Sequence, residues 1–195
     1  MMVNSNLSKT NNIKSTQSME TYISDNITSL ATSNKRSNGA RYASIKAGIR
    51  TGLQSPFLGV GQGLGTAYIA KNFTSEERKN GEVKMWLTNQ QKQGIMKAPI
   101  GAMNEYVQRF AENGCIGLTV FLTPFIFVLY RAVKILLKSN GQSLELITLL
   151  SALVGCLVAG MNGSLNLMFT VWVVLGLLYA AILVNENTGS INERA

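Results

Sequence analysis

The sequence predicts an all-α integral membrane protein, a fragment of a polytopic helical bundle that carries a large, partly helical extracytoplasmic loop. Three observations support this prediction. Charged residues make up only 14% of the 195 residues, and most of them lie in the first half of the chain. The second half contains three apolar runs, each near the roughly 20 residues that a bilayer core requires. Short links join these runs, which favours membrane spans over the buried helices of a water-soluble core.

Composition narrows the chemistry that the chain can perform. The formal net charge is +8, and histidine is absent. No basic helix, aromatic stacking set or zinc-ligand spacing accompanies the charge, so we predict no nucleic-acid partner. An anionic lipid or a phosphorylated substrate at a membrane surface explains the charge more simply. Without histidine, proton transfer falls to Glu, Asp, Lys, Tyr or the substrate, and no residue spacing suggests a metal or a cofactor.

The chain divides into four segments. The first is polar and is predicted to be flexible, because it can bury little apolar surface. An extracytoplasmic loop with amphipathic helices comes next, and then three transmembrane helices and a cytoplasmic tail. The predicted bounds are 1–40 for the flexible segment, 41–115 for the loop, about 116–137, 144–160 and 167–184 for the spans, and 185–195 for the tail.

The charges of the short links predict the orientation. The first link region carries Arg131, Lys134 and Lys138, whereas residues 161–166 carry no charge. The positive-inside rule therefore places the first link in the cytoplasm, and the loop and the second link outside. A polar segment of this length needs an earlier span or a signal to cross. We therefore expect the chain to be the carboxy-terminal part of a larger polytopic protein, or one product of a split gene.

Two amphipathic helices are predicted in the loop. In residues 41–54, an apolar stripe is formed at helical spacing by Tyr42, Ile45, Ile49 and Leu53. Pro56 ends this helix, since the residue before a proline is steered away from helical angles.

The second predicted helix begins at Ala98. Its apolar side consists of Ile100, Met103, Val107 and Phe110, and its polar side of Glu105, Arg109 and Glu112. Gly114 and Gly117 break the polar pattern where the apolar run begins. A polar helix held at that boundary is the predicted location of chemistry.

Residues 57–65 form a glycine-rich turn between the two helices. Gly59, Gly61 and Gly63 alternate, but Leu64 stands where the dinucleotide-binding pattern G-x-G-x-x-G requires glycine, and no strand precedes the turn. Two interpretations stay open: a tight loop between surface helices, or an anion nest in which exposed backbone amides contact a phosphate.

Two blocks of the sequence resemble the O-antigen ligase and polymerase family. Residues 41–65 contain an arginine, a helix and then Pro-Phe-Leu-Gly-Val-Gly, similar to the outer-loop signature of that family. Residues 103–118, Met-Asn-Glu-Tyr-Val-Gln-Arg-Phe-Ala-Glu-Asn-Gly-Cys-Ile-Gly-Leu, resemble its second signature, usually His-Asn-x-Tyr-Leu and ending in Gly-Ile-Gly. The resemblance covers roughly residues 37–184, the end of a protein that normally has ten or more spans.

The resemblance implies a multi-pass glycosyltransferase of the bacterial inner (cytoplasmic) membrane that needs no cofactor. Its donor would be an undecaprenyl-pyrophosphate-linked glycan, and the product a surface polysaccharide such as O-antigen, capsule or exopolysaccharide. The partners implied are the lipid bilayer, a chain-length regulator and a flippase. Three functions stay open: a polymerase of repeat units, a ligase that transfers the glycan to an outer acceptor such as lipopolysaccharide, and a truncated non-catalytic membrane protein.

Candidate site residues follow from the resemblance and from the chemistry of a pyrophosphate leaving group. Guanidinium groups stabilise its developing charge best, and Arg41 aligns with the arginine of the family. Gly52 follows Arg41 after ten intervening residues, a spacing described for the polymerases. Arg50 and Lys46 are further candidates for substrate binding, or belong to a solvated charged face.

The second block supplies the other candidates. Met103 stands where the family, and the ligases especially, usually has histidine, which favours a polymerase over a ligase. Glu105 is the candidate catalytic carboxylate, or a favourable charge in the first turn of a helix. Asn104 either caps the helix or binds a sugar hydroxyl. Gly59 and Gly61 complete the substrate-binding candidates through the possible nest.

Overall fold

The structure is a computed structural model, and it describes residues 36–138, 143–165 and 169–192. These residues form helices and connecting loops only, which confirms the all-α class. The helices are α1 (Arg36–Gln54), α2 (Gly65–Lys71), a 3-10 turn (Glu77–Lys79), α3 (Gly81–Gln93), α4 (Glu105–Lys138), α5 (Leu144–Ala159) and α6 (Phe169–Asn192).

Two hydrophobic cores hold the molecule together. One lies among α4, α5 and α6, and its largest fully buried side chains include Phe125, Leu153 and Leu178. The other lies in the segment before α4, where Ile69, Phe73 and Val83 pack against alanines of α1. Helix α4 joins the cores, because its first turns contact α1 and its later turns contact α5 and α6.

Helix α1 begins five residues before the predicted boundary at residue 41 and ends at Gln54, before Pro56, as predicted. Residues 36–40, assigned to the flexible segment, are therefore helical. Residues 1–35 lie outside the described residues, so the prediction for them is untested.

The predicted apolar stripe of α1 is wrong. Tyr42 and Leu53 are 51% and 63% exposed, whereas Ala40 and Ala47 are fully buried. The buried face consists of small residues because α4 approaches closely. A Cβ added to Gly48 would lie 2.7 Å from Cγ1 of Val107. The close approach of α4 therefore determines which face of α1 is buried, and the size of the apolar side chains does not.

Helix α4 begins at Glu105, so the prediction of a helix from Ala98 is wrong. Residues 98–104 are not helical, and Met103 has a φ of 49°. Pro99 steers Ala98 away from helical angles. Asn104 then caps the helix, because its Oδ1 accepts a 3.0 Å hydrogen bond from the backbone N–H of Val107. Ile100 is nevertheless buried in the core of the segment before α4, as its apolar character suggests.

The sequence pattern did not predict that the helix itself is interrupted at Gly114, where the polar pattern ends. Gly114 has φ 64° and ψ −167° inside α4, whereas the helix continues through Gly117. Beyond the break, α4 covers the first predicted span and includes Pro124.

The other two predicted spans correspond to α5 and α6. Helix α6 continues to Asn192, so the predicted tail is helical up to that residue, and residues 167 and 168 lie outside the described residues. Among the described helices, two are long and apolar enough to cross a membrane, Glu105–Lys138 and Phe169–Glu186; Leu144–Ala159 is apolar but shorter. Membrane crossing itself stays a prediction.

Candidate functional site

The glycine-rich turn closes the break in α4 and thereby positions the site. Val60 and Gly61 donate backbone hydrogen bonds of 2.9 Å and 2.8 Å to the carbonyls of Ala111 and Glu112, which end the first part of the helix. On the other side of the break, Cys115 donates a 2.8 Å bond to the carbonyl of Pro56. A broken helix leaves such groups unpaired, and the turn satisfies both ends.

A cleft of about 530 Å³ opens beside the first turns of α4. The loop before α4, the first turns of α4, one residue of α1 and the link between α5 and α6 form its walls. The lining residues are Arg41, Gly101, Ala102, Met103, Asn104, Glu105, Gln108, Arg109, Glu112, Asn162, Gly163 and Ser164. The cleft therefore brings together three of the predicted residues, Arg41, Asn104 and Glu105.

Glu105 is 1% exposed, and both of its carboxylate oxygens are occupied. Oε1 accepts a 2.7 Å hydrogen bond from Nε of Arg109, one turn later on α4. Oε2 accepts a 2.8 Å bond from the hydroxyl of Ser164. The two partners compensate the burial of a charge, which would otherwise be costly.

Arg109 is fixed by neighbours on three sides. Besides its pairing with Glu105, it donates a 3.3 Å hydrogen bond from Nη1 to Oε1 of Gln62 in the glycine-rich turn. Its guanidinium carbon also lies 5.5 Å from the ring centroid of Phe121. The guanidinium is thus held in one orientation at the wall of the cleft.

Arg41 presents a second guanidinium to the cleft from α1. Its side chain is exposed, and within residues 36–138, 143–165 and 169–192 it makes no hydrogen bond or ion pair. A cation without a fixed partner at a cleft can bind an anionic ligand without first breaking an internal ion pair.

Glu112 is a second buried carboxylate of the cleft, with 6% exposure. Its Oε1 accepts a 2.8 Å hydrogen bond from Nε2 of Gln108. Oε1 of the same Gln108 side chain accepts a 2.8 Å bond from the backbone N–H of Ala102. Among the described residues, Glu112 pairs with no cation and its other oxygen accepts no hydrogen bond.

The link between α5 and α6 closes the cleft at the start of α4. The backbone N–H of Glu105 donates a 3.0 Å hydrogen bond to the carbonyl of Gly160, and Nδ2 of Asn104 donates one of 3.0 Å to the carbonyl of Met161. The phenol of Tyr106 donates a 2.6 Å bond to the carbonyl of Leu157. Asn104 therefore caps the helix through its side-chain oxygen and holds the link through its side-chain nitrogen. Both polar atoms of its amide are thus engaged.

Lys46 and Arg50 lie outside the cleft. They line a separate depression with Glu76, Glu77 and neighbours. Arg50 forms an ion pair with Glu77 and donates a 3.0 Å hydrogen bond to the carbonyl of Asn72. Burial raises the pKa of Glu77, but hydrogen bonds from Arg50 and the Thr74 backbone, with the charge of Arg50, outweigh it, so this pKa lies below its ordinary value. Arg50 thus stabilises the segment before α4 rather than lining the cleft.

Gly59 and Gly61 also have a structural role. Their backbone N–H groups donate 2.8 Å hydrogen bonds to the carbonyls of Ser55 and Glu112, so these amides are not free to form an anion nest. Of the two interpretations of the turn, the contacts favour the tight loop.

Sequence reasoning missed Arg109, Glu112 and Ser164 as site residues. Glu105 and Arg109 are four residues apart on a predicted helix, a spacing that favours an ion pair. Glu112 lies on the same predicted face. Ser164 carried no such signal, because it is 59 residues from Glu105 in sequence.

The guanidinium groups of Arg41 and Arg109 can bind an anion in the cleft. One carboxylate oxygen of Glu112 has no partner among the described residues and can accept a proton. Comparisons of the chain with protein-family models, with curated proteins and with solved structures find no match. The resemblance to the O-antigen ligase and polymerase family therefore stays a prediction.

Proposed function

We propose that this chain is part of a membrane glycosyltransferase that polymerises undecaprenyl-pyrophosphate-linked repeat units into surface polysaccharide. The observation that supports this most is that one cleft contains Arg41, which has no partner among the described residues, together with the fixed Arg109 and the buried Glu112. Such a cleft suits a substrate that carries a diphosphate and sugar hydroxyls. Its position at the end of a bundle of apolar helices suits a substrate attached to a lipid.

The reaction requires one bond to form and one to break. An acceptor hydroxyl attacks the anomeric carbon of the donor glycan, the bond from that carbon to the phosphate oxygen breaks, and undecaprenyl pyrophosphate leaves with the electron pair. Arg41 and Arg109 would stabilise the charge of the leaving diphosphate through forked hydrogen bonds.

The proton of the acceptor hydroxyl needs a carboxylate oxygen within hydrogen-bond reach. Glu105 was the candidate from the sequence, but both of its oxygens are engaged by Arg109 and Ser164. In our proposal, Glu105 positions Arg109, and Glu112 accepts the proton. Met103 lines the same cleft where the family usually has histidine, and its thioether cannot take that role, which favours a polymerase over a ligase.

Binding of undecaprenyl pyrophosphate to the purified chain in lipid nanodiscs tests the diphosphate site. Arg41→Ala is expected to weaken binding by about ten- to a hundredfold, since loss of a charge-assisted hydrogen bond costs about 1.5–3 kcal/mol. Lys92→Ala is the matched control, because Lys92 is an exposed cation of α3 that does not line the cleft. Equal affinities for the Arg41→Ala variant and the unaltered chain would contradict the proposal.

Complementation separates the polymerase from the ligase. In a strain that makes the repeat unit but lacks its own polymerase, the protein is expected to restore the ladder of chain lengths on a gel. Restored transfer of the glycan in a ligase-deficient strain, with no ladder in the first strain, would identify a ligase instead.

A further inference from the structure

The turn that closes the break in α4 exposes large apolar side chains. Phe57 and Leu58 are 69% and 72% exposed, and Leu64 is 52% exposed. No charged residue occurs from Thr51 to Ala70. A water-soluble surface turn rarely combines such exposure with the absence of charge over this length.

The hydrogen bonds of the turn place it beside the start of the apolar part of α4. The carbonyls of Pro56 and Phe57 accept bonds of 2.8 Å and 3.3 Å from the N–H groups of Cys115 and Ile116. The backbones are in contact there, since a Cβ added to Gly114 would lie 2.3 Å from the carbonyl carbon of Phe57. Phe57 and Leu58 are therefore level with Ile116, the first residue of the predicted span, which is itself 54% exposed.

Several backbone amides of the turn are also paired, which lowers the cost of contact with acyl chains. Gly59 donates to Ser55, and Val60 and Gly61 donate to the end of the first part of α4. An ordinary loop would expose these amides, and immersion in hydrocarbon would be costly.

We infer that Phe57 and Leu58 insert into the lipid bilayer, among the acyl chains next to the headgroups. The inserted turn would fix the depth of the bundle and keep the adjoining cleft at the headgroup level, where the diphosphate of a lipid-linked substrate lies. The inference rests on the proposed function only in requiring that α4 crosses the membrane.

Depth-dependent fluorescence quenching tests the inference. The full chain, with Cys115→Ala and Cys156→Ala to remove the native thiols, is reconstituted in phosphatidylcholine–phosphatidylglycerol vesicles. Single variants Leu58→Cys, Val120→Cys and Met96→Cys carry an environment-sensitive fluorophore. Val120 is 68% exposed in the predicted span, and Met96 is 93% exposed outside it, so they are the matched controls. Quenching by acyl-chain nitroxides is compared with quenching by aqueous iodide.

The fluorophores at Leu58 and Val120 are expected to be quenched several-fold more by the nitroxides than by iodide, and the one at Met96 by iodide alone. If Val120 responds to the lipid quencher while Leu58 behaves like Met96, the insertion of the turn is refuted and the span stands. If Val120 itself responds only to iodide, α4 does not cross the bilayer, and both this inference and the proposed membrane enzyme are refuted.

Discussion

Glu105 combines almost complete burial with two fixed partners, and this combination defines its role. Removing one partner of a buried ion pair leaves an uncompensated charge and typically costs about 3–5 kcal/mol. Loss of a single hydrogen bond to a charged group costs about 1.5–3 kcal/mol. The two substitutions Glu105→Ala and Ser164→Ala should therefore differ in severity.

We predict that Glu105→Ala lowers the melting temperature of the purified protein more than Ser164→Ala does, because the first variant leaves Arg109 without its carboxylate. Thermal unfolding can be followed through Trp86 and Trp172. A melting temperature of Glu105→Ala equal to that of the unaltered protein would show that the pair does not stabilise the fold.

Glu112 permits the complementary prediction. Glu112→Gln retains the size of the side chain and an oxygen that can accept the hydrogen bond of Gln108, so the melting temperature should change little. The proton acceptor would be lost, and the ladder of chain lengths should shorten to single repeat units. A full ladder from this variant, at an unchanged protein level, would exclude Glu112 as the base.

At this scale the sequence predicted part of the cleft. The spacing of Glu105, Arg109 and Glu112 places them on one helical face, and Asn104 was a predicted cap. The burial of Glu105 could not be predicted, since its partners Ser164 and Gly160 lie in a distant link. Arg50 could not be assigned either, because its partner Glu77 is 27 residues away.

Among the elements, the glycine-rich turn and α4 depend on each other. Gly59 and Gly63 both have positive φ, 68° and 78°, so alanine at either position would be strained by about 1–2 kcal/mol. Only at Gly59 would the new Cβ also collide with backbone, 2.2 Å from the carbonyl carbon of Glu112; at Gly63 nothing lies within 4 Å.

We therefore predict that Gly59→Ala lowers the melting temperature clearly more than Gly63→Ala, its matched control. The collision would separate the turn from the end of the first part of α4 and break the hydrogen bonds of Val60 and Gly61. If both variants lower the melting temperature equally, the turn does not close the break in solution.

The local residue pattern predicted that α1, the glycine-rich turn and α4 exist, but it did not predict the contacts between them. The end of α1 before Pro56 was predicted from local geometry, whereas Gly114 was predicted only to end the polar pattern and not to break the helix. The buried face of α1 consists of small residues such as alanine and glycine, whereas the apolar stripe predicted from Tyr42 and Leu53 is exposed. The short distance between α1 and α4 leaves room only for small side chains. That distance cannot be predicted from the residue pattern of one helix alone.

For the molecule as a whole, the helix lengths and the contacts at the two ends of the bundle limit how the helices can be placed in a bilayer. Residues 115–138 of α4 rise about 35 Å at 1.5 Å per residue, enough for a hydrocarbon core of about 30 Å, whereas the 16 residues of α5 rise about 24 Å. If α5 crosses the membrane as proposed, the bilayer would have to thin or adjust around it. At the other end from the cleft, Arg131 of α4 forms an ion pair with Glu186 of α6.

If the bundle crosses a membrane as proposed, these contacts determine which parts of the protein share one side of it. Hydrogen bonds from Asn104 and Glu105 join the link between α5 and α6 to the start of α4, so Met96 and Met161 must lie on one side and Leu137 near the other. We predict that, without native thiols, Met96→Cys and Met161→Cys react with an impermeant maleimide in intact cells, and Leu137→Cys only after permeabilisation. Reaction of Met96→Cys and Met161→Cys from opposite sides would contradict the fold. Reaction of both from the cytoplasm alone would preserve the fold but refute the proposed enzyme, whose substrate is polymerised outside.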